Sequence, residues 1–129
     1  MNLNDIIDNI LRIPIVFHEI RNKSAYTLLK ESGYFEEFDS IDEMKIYNRL
    51  VKQPHLVEHW LLWSDDERAM PTYSLEIIKE GKYIVNYRSN IDGKYEKKTI
   101  FETGNIFHAC AIYIKRHLEY IRLIKREII

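Results

Sequence analysis

One cysteine, four glycines and three prolines are all that this 129-residue chain has of the residues that mark many functional classes. A lone Cys110 cannot close an internal disulfide or build a Cys-rich zinc module, which agrees with a reducing compartment. The glycines, at 33, 81, 93 and 104, fall in no G-x-x-x-x-G-K, G-x-G-x-x-G or G-x-S-x-G pattern. A phosphate-cradling loop or a nucleophile elbow is therefore not expected. No long apolar run is present either. The opening MNLNDIIDNILRIPIVF has Asp5 and Asp8 where a secretory signal needs positive charge, and Arg12 and Pro14 interrupt its apolar residues. These features predict a cytosolic protein with neither export nor membrane insertion. Repeats, low-complexity tracts and Pro/Gly/Ser-rich linkers are also missing, so residues 1–129 read as one domain.

Against these absences stand 46% hydrophobic and 12% aromatic residues, enough to bury a core without staples. Net charge is −1 but unevenly spread. Residues 1–80 hold nine Lys/Arg against fifteen Asp/Glu, and residues 81–129 hold ten against five. The plain reading is mutual attraction of the two halves on folding; the other is a charge-complementary partner.

Helical periodicity dominates the first half. Asn4 can cap a helix with Ile6, Ile7, Ile10 and Leu11 on one face, which Pro14 then disturbs or ends. Ser24 can cap a second helix through Tyr26, Leu28 and Leu29, with Gly33 as its left-handed stop. Asp39 or Ser40 can open a third, using Ile41, Met44, Tyr47, Leu50 and Val51, stopped by Gln53-Pro54. Pro54 suits the first position of a fourth, in which Leu56, Val57, Trp60, Leu61 and Trp63 form a broad apolar surface.

After Pro71 the period changes to two. Tyr73, Leu75 and Ile77 predict a strand with one buried face, Glu80-Gly81 a turn, and Lys82–Arg88 a second strand with Tyr83, Val85 and Tyr87 on one side. Asp92-Gly93 is a strong hairpin signal leading into Lys94–Phe101. From about Asn105 a long helix places Phe107, Cys110, Ala111, Ile114, Leu118, Ile121 and Ile128 on one stripe. The expected fold is α+β: N-terminal helices, a three-stranded antiparallel meander, and a long C-terminal helix packed on the sheet.

Several residue groups invite chemistry. His55-Leu56-Val57-Glu58-His59 matches H-x-x-E-H, in which imidazoles one helical turn apart share a metal, and it admits a metal-dependent hydrolase reading. A solvated pair beside Leu56 and Trp60 is the plainer account, and no cofactor is expected. His108 and Cys110 lie about 200° apart on one helix and cannot face each other, so Cys110 reads as a small core residue and His117 as a packed one. Tyr83, Tyr87, Arg88, Lys94, Tyr95, Lys97 and Lys98 interleave aromatic and basic groups along a sheet. They admit RNA or single-stranded nucleic-acid binding, against ordinary cross-strand pairing. Carboxylates crowd Glu31, Glu36, Glu37, Asp39, Asp42 and Glu43 around Tyr34 and Phe35, and again at Asp65, Asp66 and Glu67. They read either as solvated helix caps or as a surface for a basic partner.

Three segments, Ser24–Phe35, Trp60-Leu61-Leu62-Trp63-Ser64-Asp65-Asp66-Glu67-Arg68 and Ala109–Ile114, resemble a group of small bacterial α+β proteins associated with contact-inhibition immunity. The resemblance spans most of residues 24–121, with W-x-x-W-S-x-D-x-R its most specific element. Pro71-Thr72-Tyr73 stands where that group commonly has Gly-Trp-Tyr. The tryptophans read as core residues, and Arg68 as a partner of Asp65 or a helix-end cap. The resemblance implies a non-catalytic protein that holds a cognate toxin, of nuclease type, and blocks its substrate surface or disables it allosterically. Tyr34 and Phe35 are then the expected anchors, and Glu36, Glu37, Asp39, Asp42, Asp65 and Asp66 the charges that mimic nucleic-acid phosphate.

Overall fold

The computed structural model describes residues 2–65 and 72–128, without the side chains of residues 90, 91 and 125–128. Its helical half begins with α1 (Leu3–Leu11) and α2 (Ile13–Glu19). The cap of α1 is Asn2, whose Oδ1 accepts from Asp5 N at 2.9 Å, two residues before the expected Asn4. Ile6, Ile7, Ile10 and Leu11 are buried as their spacing requires. Pro14 does not end the helical path. It falls in the first turn of α2, where a missing N–H removes no helical bond, and the chain breaks at Arg12 instead.

Ser24 caps α3 (Ala25–Ser32), accepting from Thr27 N at 3.1 Å. Gly33 ends it at φ +97°, and a Cβ there would stand 3.1 Å from Ile6 Cγ1, so both conformation and space demand glycine. A short α4 (Tyr34–Glu37) and a 3-10 turn (Phe38–Ser40) follow before α5 (Glu43–Leu50). The α5 cap is Asp42, which accepts from Lys45 N at 2.8 Å, in place of the expected Asp39 or Ser40. Starting there puts Met44 in solvent at 61% exposure while Ile46 and Leu50 are buried. Turns occupy residues 51–55, so α6 (Leu56–Asp65) starts two residues after Pro54. Trp60 and Trp63 are buried as expected, and Trp60 Nε1 donates to the Leu11 carbonyl at 3.0 Å.

The sheet is the expected antiparallel meander of β1 (Tyr73–Lys79), β2 (Lys82–Ile91) and β3 (Lys94–Thr103), in that order. Asp92 at φ 52° and Gly93 at φ 78° form the tight turn between β2 and β3. Tyr73 pairs with Tyr87 and Leu75 with Val85. The expectation of a buried Tyr73/Leu75/Ile77 side holds only in part, because Leu75 is buried and Ile77 is 53% exposed. The free edge of β1 is occupied by α6: Ser64 Oγ accepts from Leu75 N at 2.7 Å and donates to Leu75 O at 3.4 Å. One hydroxyl thus satisfies both backbone groups that a neighbouring strand would have used.

Asn105 caps α7 (Ile106–Ile128), its Oδ1 accepting from Phe107 N at 3.0 Å and His108 N at 3.3 Å. The helix packs on the sheet, as expected, and also against α5. Two covering layers explain why Ala109, Ile112, Tyr113 and His117 are buried beside the expected Cys110, Ala111, Ile114 and Leu118. A single buried cluster joins α1 through α6, the sheet and α7. No helix among the described residues is long and apolar enough to cross a membrane.

Candidate acidic ridge and adjoining groove

The chain leaves α3 through Gly33 and folds α4 and the 3-10 turn against the middle of α7. There Lys115 Nζ donates to Tyr34 Oη at 2.8 Å and to the Phe38 carbonyl at 2.7 Å. Tyr34 Oη donates in turn to Glu119 Oε2 at 2.6 Å. Arg122 clamps the same carboxylate with two bonds of 2.8 Å and lays its guanidinium 3.7 Å from the Phe38 ring centroid. Residues 115, 119 and 122 recur at steps of four and three, so all three meet the incoming segment on one face of α7.

The electrostatics follow from this linkage. Burial, then the hydrogen bond to Glu119, pushes the Tyr34 phenol above its ordinary range. Burial lowers Lys115 from the usual ammonium value against the pull of Glu119. For Glu119 burial works upward, but the bonds from Arg122 and Tyr34 and the nearby Lys115 win, holding it below the ordinary carboxylate range.

This network corrects the anchor role expected of Tyr34. Its side chain is wholly buried and its hydroxyl engaged, so it fixes α4 to α7 and offers nothing to a partner. Phe35 is half-buried, its ring 5.2 Å from that of Tyr26. Glu36, Glu37 and Asp39 stand exposed on the outer side of this segment, with no ion pair to another described residue. Asp42 is exposed but already occupied as the α5 cap. Glu31 pairs with Lys23 at 2.9 Å.

The second expected acidic group does not join the first. Asp65 is exposed at the end of α6, whose Trp63 donates to His117 at 2.8 Å. His117 lies about 200° around α7 from Lys115, so Asp65 and the 36–42 segment are on opposite flanks of that helix. Asp66, with Glu67 and Arg68, lies outside the described residues.

The other expected groups lie elsewhere. His55 is an exposed turn residue immediately before α6 and His59 a half-buried residue within it. Among the described residues no group of three or more His, Cys, Asp or Glu is placed to hold a metal ion. Cross-strand register places Tyr83, Tyr87, Lys94 and Lys98 on one face of the sheet and Arg88, Tyr95 and Lys97 on the other. The interleaved basic and aromatic set is thus divided between two surfaces. Lys97 is further tied to Glu76 at 2.9 Å, and that carboxylate also accepts from Ser74 and Asn86.

Sequence reasoning missed a groove beside the ridge. Two adjoining hollows of about 390 and 430 Å3 lie between α5, α7 and the end of the sheet, and share Glu43 and Lys115 in their walls. Met44, Tyr47 and His108 line the first, and Tyr73, Tyr120 and Leu123 the second. Exposure of 61% at Met44 and 46% at Leu123 leaves apolar surface open in both. The signal within reach was the i, i+4, i+7 pattern of Lys115, Glu119 and Arg122; the groove itself depends on how α5 meets α7. No family model, curated protein or solved structure matches the chain.

Proposed function

We propose that this protein is a non-catalytic binder that neutralises a cognate nuclease-type toxin by placing Glu36, Glu37 and Asp39 over the toxin's basic substrate surface. The observation that carries the reading is a ridge of carboxylates with no ion pair to another described residue, held on a fixed support. Lys115, Arg122 and Tyr34 spend their bonds on the underlying backbone and on Glu119, so the outward charges remain available to a partner. Charges ordered before contact cost little entropy on binding, and same-sign groups on a rim accelerate encounter with a basic cleft. The resemblance of residues 24–121 to contact-inhibition immunity proteins supports the same reading, and both point to stoichiometric occlusion.

The test takes as probe the nuclease-type domain of a toxin encoded beside this protein's gene, and the absence of any such gene would itself count against the proposal. Wild-type protein should form a one-to-one complex and abolish toxin activity. Glu36→Gln, Glu37→Gln and Asp39→Asn together should slow association at least about ten-fold at low salt and flatten its salt dependence. Asp42 is left unaltered in that variant because it caps α5. No complex with the toxin domain, or association and salt dependence unchanged in the triple variant, would defeat the proposal.

A further inference from the structure

We infer that the open edge of β3 is a homodimer interface, on which residues 94–100 pair antiparallel with the same residues of a second copy of this chain. The two edges of the sheet differ. That of β1 is closed by Ser64 of α6, whereas no described residue pairs with the outer side of β3, and residues 94–99 are exposed throughout. The second strand also outruns the first. Tyr87 pairs with Tyr73 and Arg88 N donates to Thr72 O, but from Ser89 onward β2 and β3 form a two-stranded ribbon among the described residues. Such a ribbon is only marginally stable in water, and a strand added at β3 supplies the third member it lacks.

The choice of a second copy follows from register and charge. Because Arg88 N bonds outward to Thr72, its β3 partner Lys97 also turns its N–H and C=O away from β2, and by alternation Tyr95 and Thr99 do the same. An antiparallel strand must therefore hydrogen-bond to these three positions. With a two-fold axis at Lys97, Tyr95 stands opposite Thr99 of the second copy, and Glu96 stands opposite Lys98 twice, in the closely spaced pairs without backbone bonds. Neither Glu96 nor Lys98 has an ion pair to another described residue, so both are open to this match. The two Lys97 chains meet on the opposite face, where each ammonium is already held by Glu76 at 2.9 Å. Sliding the register by two residues sets Lys98 against Lys94 in one direction and against its own counterpart in the other. The irregular pairing between Val85 and Asn86, which leaves Ile100 without a β2 partner, ends the regular run of the edge there. A strand that complements itself at one register and repels itself at the neighbouring ones specifies its own copy as partner. The inference does not depend on the toxin reading.

Sedimentation velocity of the full-length protein from micromolar to millimolar concentration should show a monomer–dimer equilibrium, with amide exchange slowed at Tyr95, Lys97 and Thr99 as the dimer fills. Glu96→Lys and Lys98→Glu, each at an exposed position, should each weaken self-association about ten-fold or more, because either change sets like charges opposite one another at two places. Mixed together, the two variants should pair as tightly as the wild type, since every 96–98 contact between them is again Lys against Glu. A folding defect in either variant cannot imitate that rescue. A monomer throughout the range, a dimer indifferent to both reversals, or a mixture no tighter than the variants alone would overturn the inference. Protection of those three amides only when the toxin domain is added would overturn it too, by making the edge a docking strand for that partner.

Discussion

Acidification should unlock the fold at His117 before it reaches the carboxylates. The imidazole is wholly enclosed, with Trp63 Nε1 donating to its Nε2 at 2.8 Å and the Tyr113 ring stacked at 5.6 Å. Because Nε2 accepts, the proton resides on Nδ1, which has no partner among the described residues. Burial pushes the group down to about 4, against 6.5 for an exposed histidine. A proton therefore binds the unfolded chain more readily than the native one, and the stabilising contribution is complete above pH 6.5. It declines as pH falls toward 4, by about 2 kcal/mol at pH 5 and about 3 kcal/mol at pH 4 from the roughly 1.4 kcal/mol carried by each pH unit of difference. Against a typical domain stability of roughly 5–15 kcal/mol, that loss is readily measured. Urea unfolding at pH 7 and pH 5 should show it in the wild type. His117→Gln keeps an acceptor for Trp63 but cannot titrate, so its stability should change by about 2 kcal/mol less over the same interval. Against the upward pull of burial, Glu76 and Glu119 are held below the usual carboxylate range by their hydrogen bonds and nearby cations, so they lose their charge later on acidification than ordinary carboxylates do. Equal pH slopes for the two proteins would refute the argument.

Three further outcomes follow from single contacts. Ser64→Ala removes the hydroxyl that serves both backbone groups of Leu75 and should cost about 1–3 kcal/mol in thermal unfolding, with faster hydrogen exchange at the Leu75 amide. Asp42→Ala should cost about 1 kcal/mol by uncapping α5 whereas Asp42→Asn should cost almost nothing, a comparison that denaturant unfolding decides. Cys110 is wholly buried, and that burial pushes its thiol up, so it should resist iodoacetamide in the folded protein and react fully in urea, as mass spectrometry would show.

The meander and the long helix were legible because their signals are local. Alternation in Tyr73–Ile77, positive-φ residues at Asp92-Gly93 and a stripe of apolar residues from Phe107 each need only a few neighbours to be read. Caps were misplaced by two or three residues where several Asn, Asp and Ser compete, as Asn2 did with Asn4 and Asp42 with Asp39. Tyr34 was misread for a different reason. Acidic neighbours on both sides suggest a surface residue, but the carboxylate and ammonium that bury it, Glu119 and Lys115, arrive more than eighty positions later. The split of the basic residues across two sheet faces follows from alternation within each strand and from the register set at Asp92-Gly93, so it was within reach of the sequence.

The place of α7 in the fold has a consequence for how the protein is made. Tyr34, Phe38, Trp63 and the inner face of β1 all close upon residues 109–122, which leave the ribosome after everything they cover. Until then the aromatic interior has no lid, and the nascent chain leaves that apolar surface exposed. Immediately afterwards, one helix docking between two waiting layers completes both at once, so the protein should acquire its native packing in a single late step rather than by degrees.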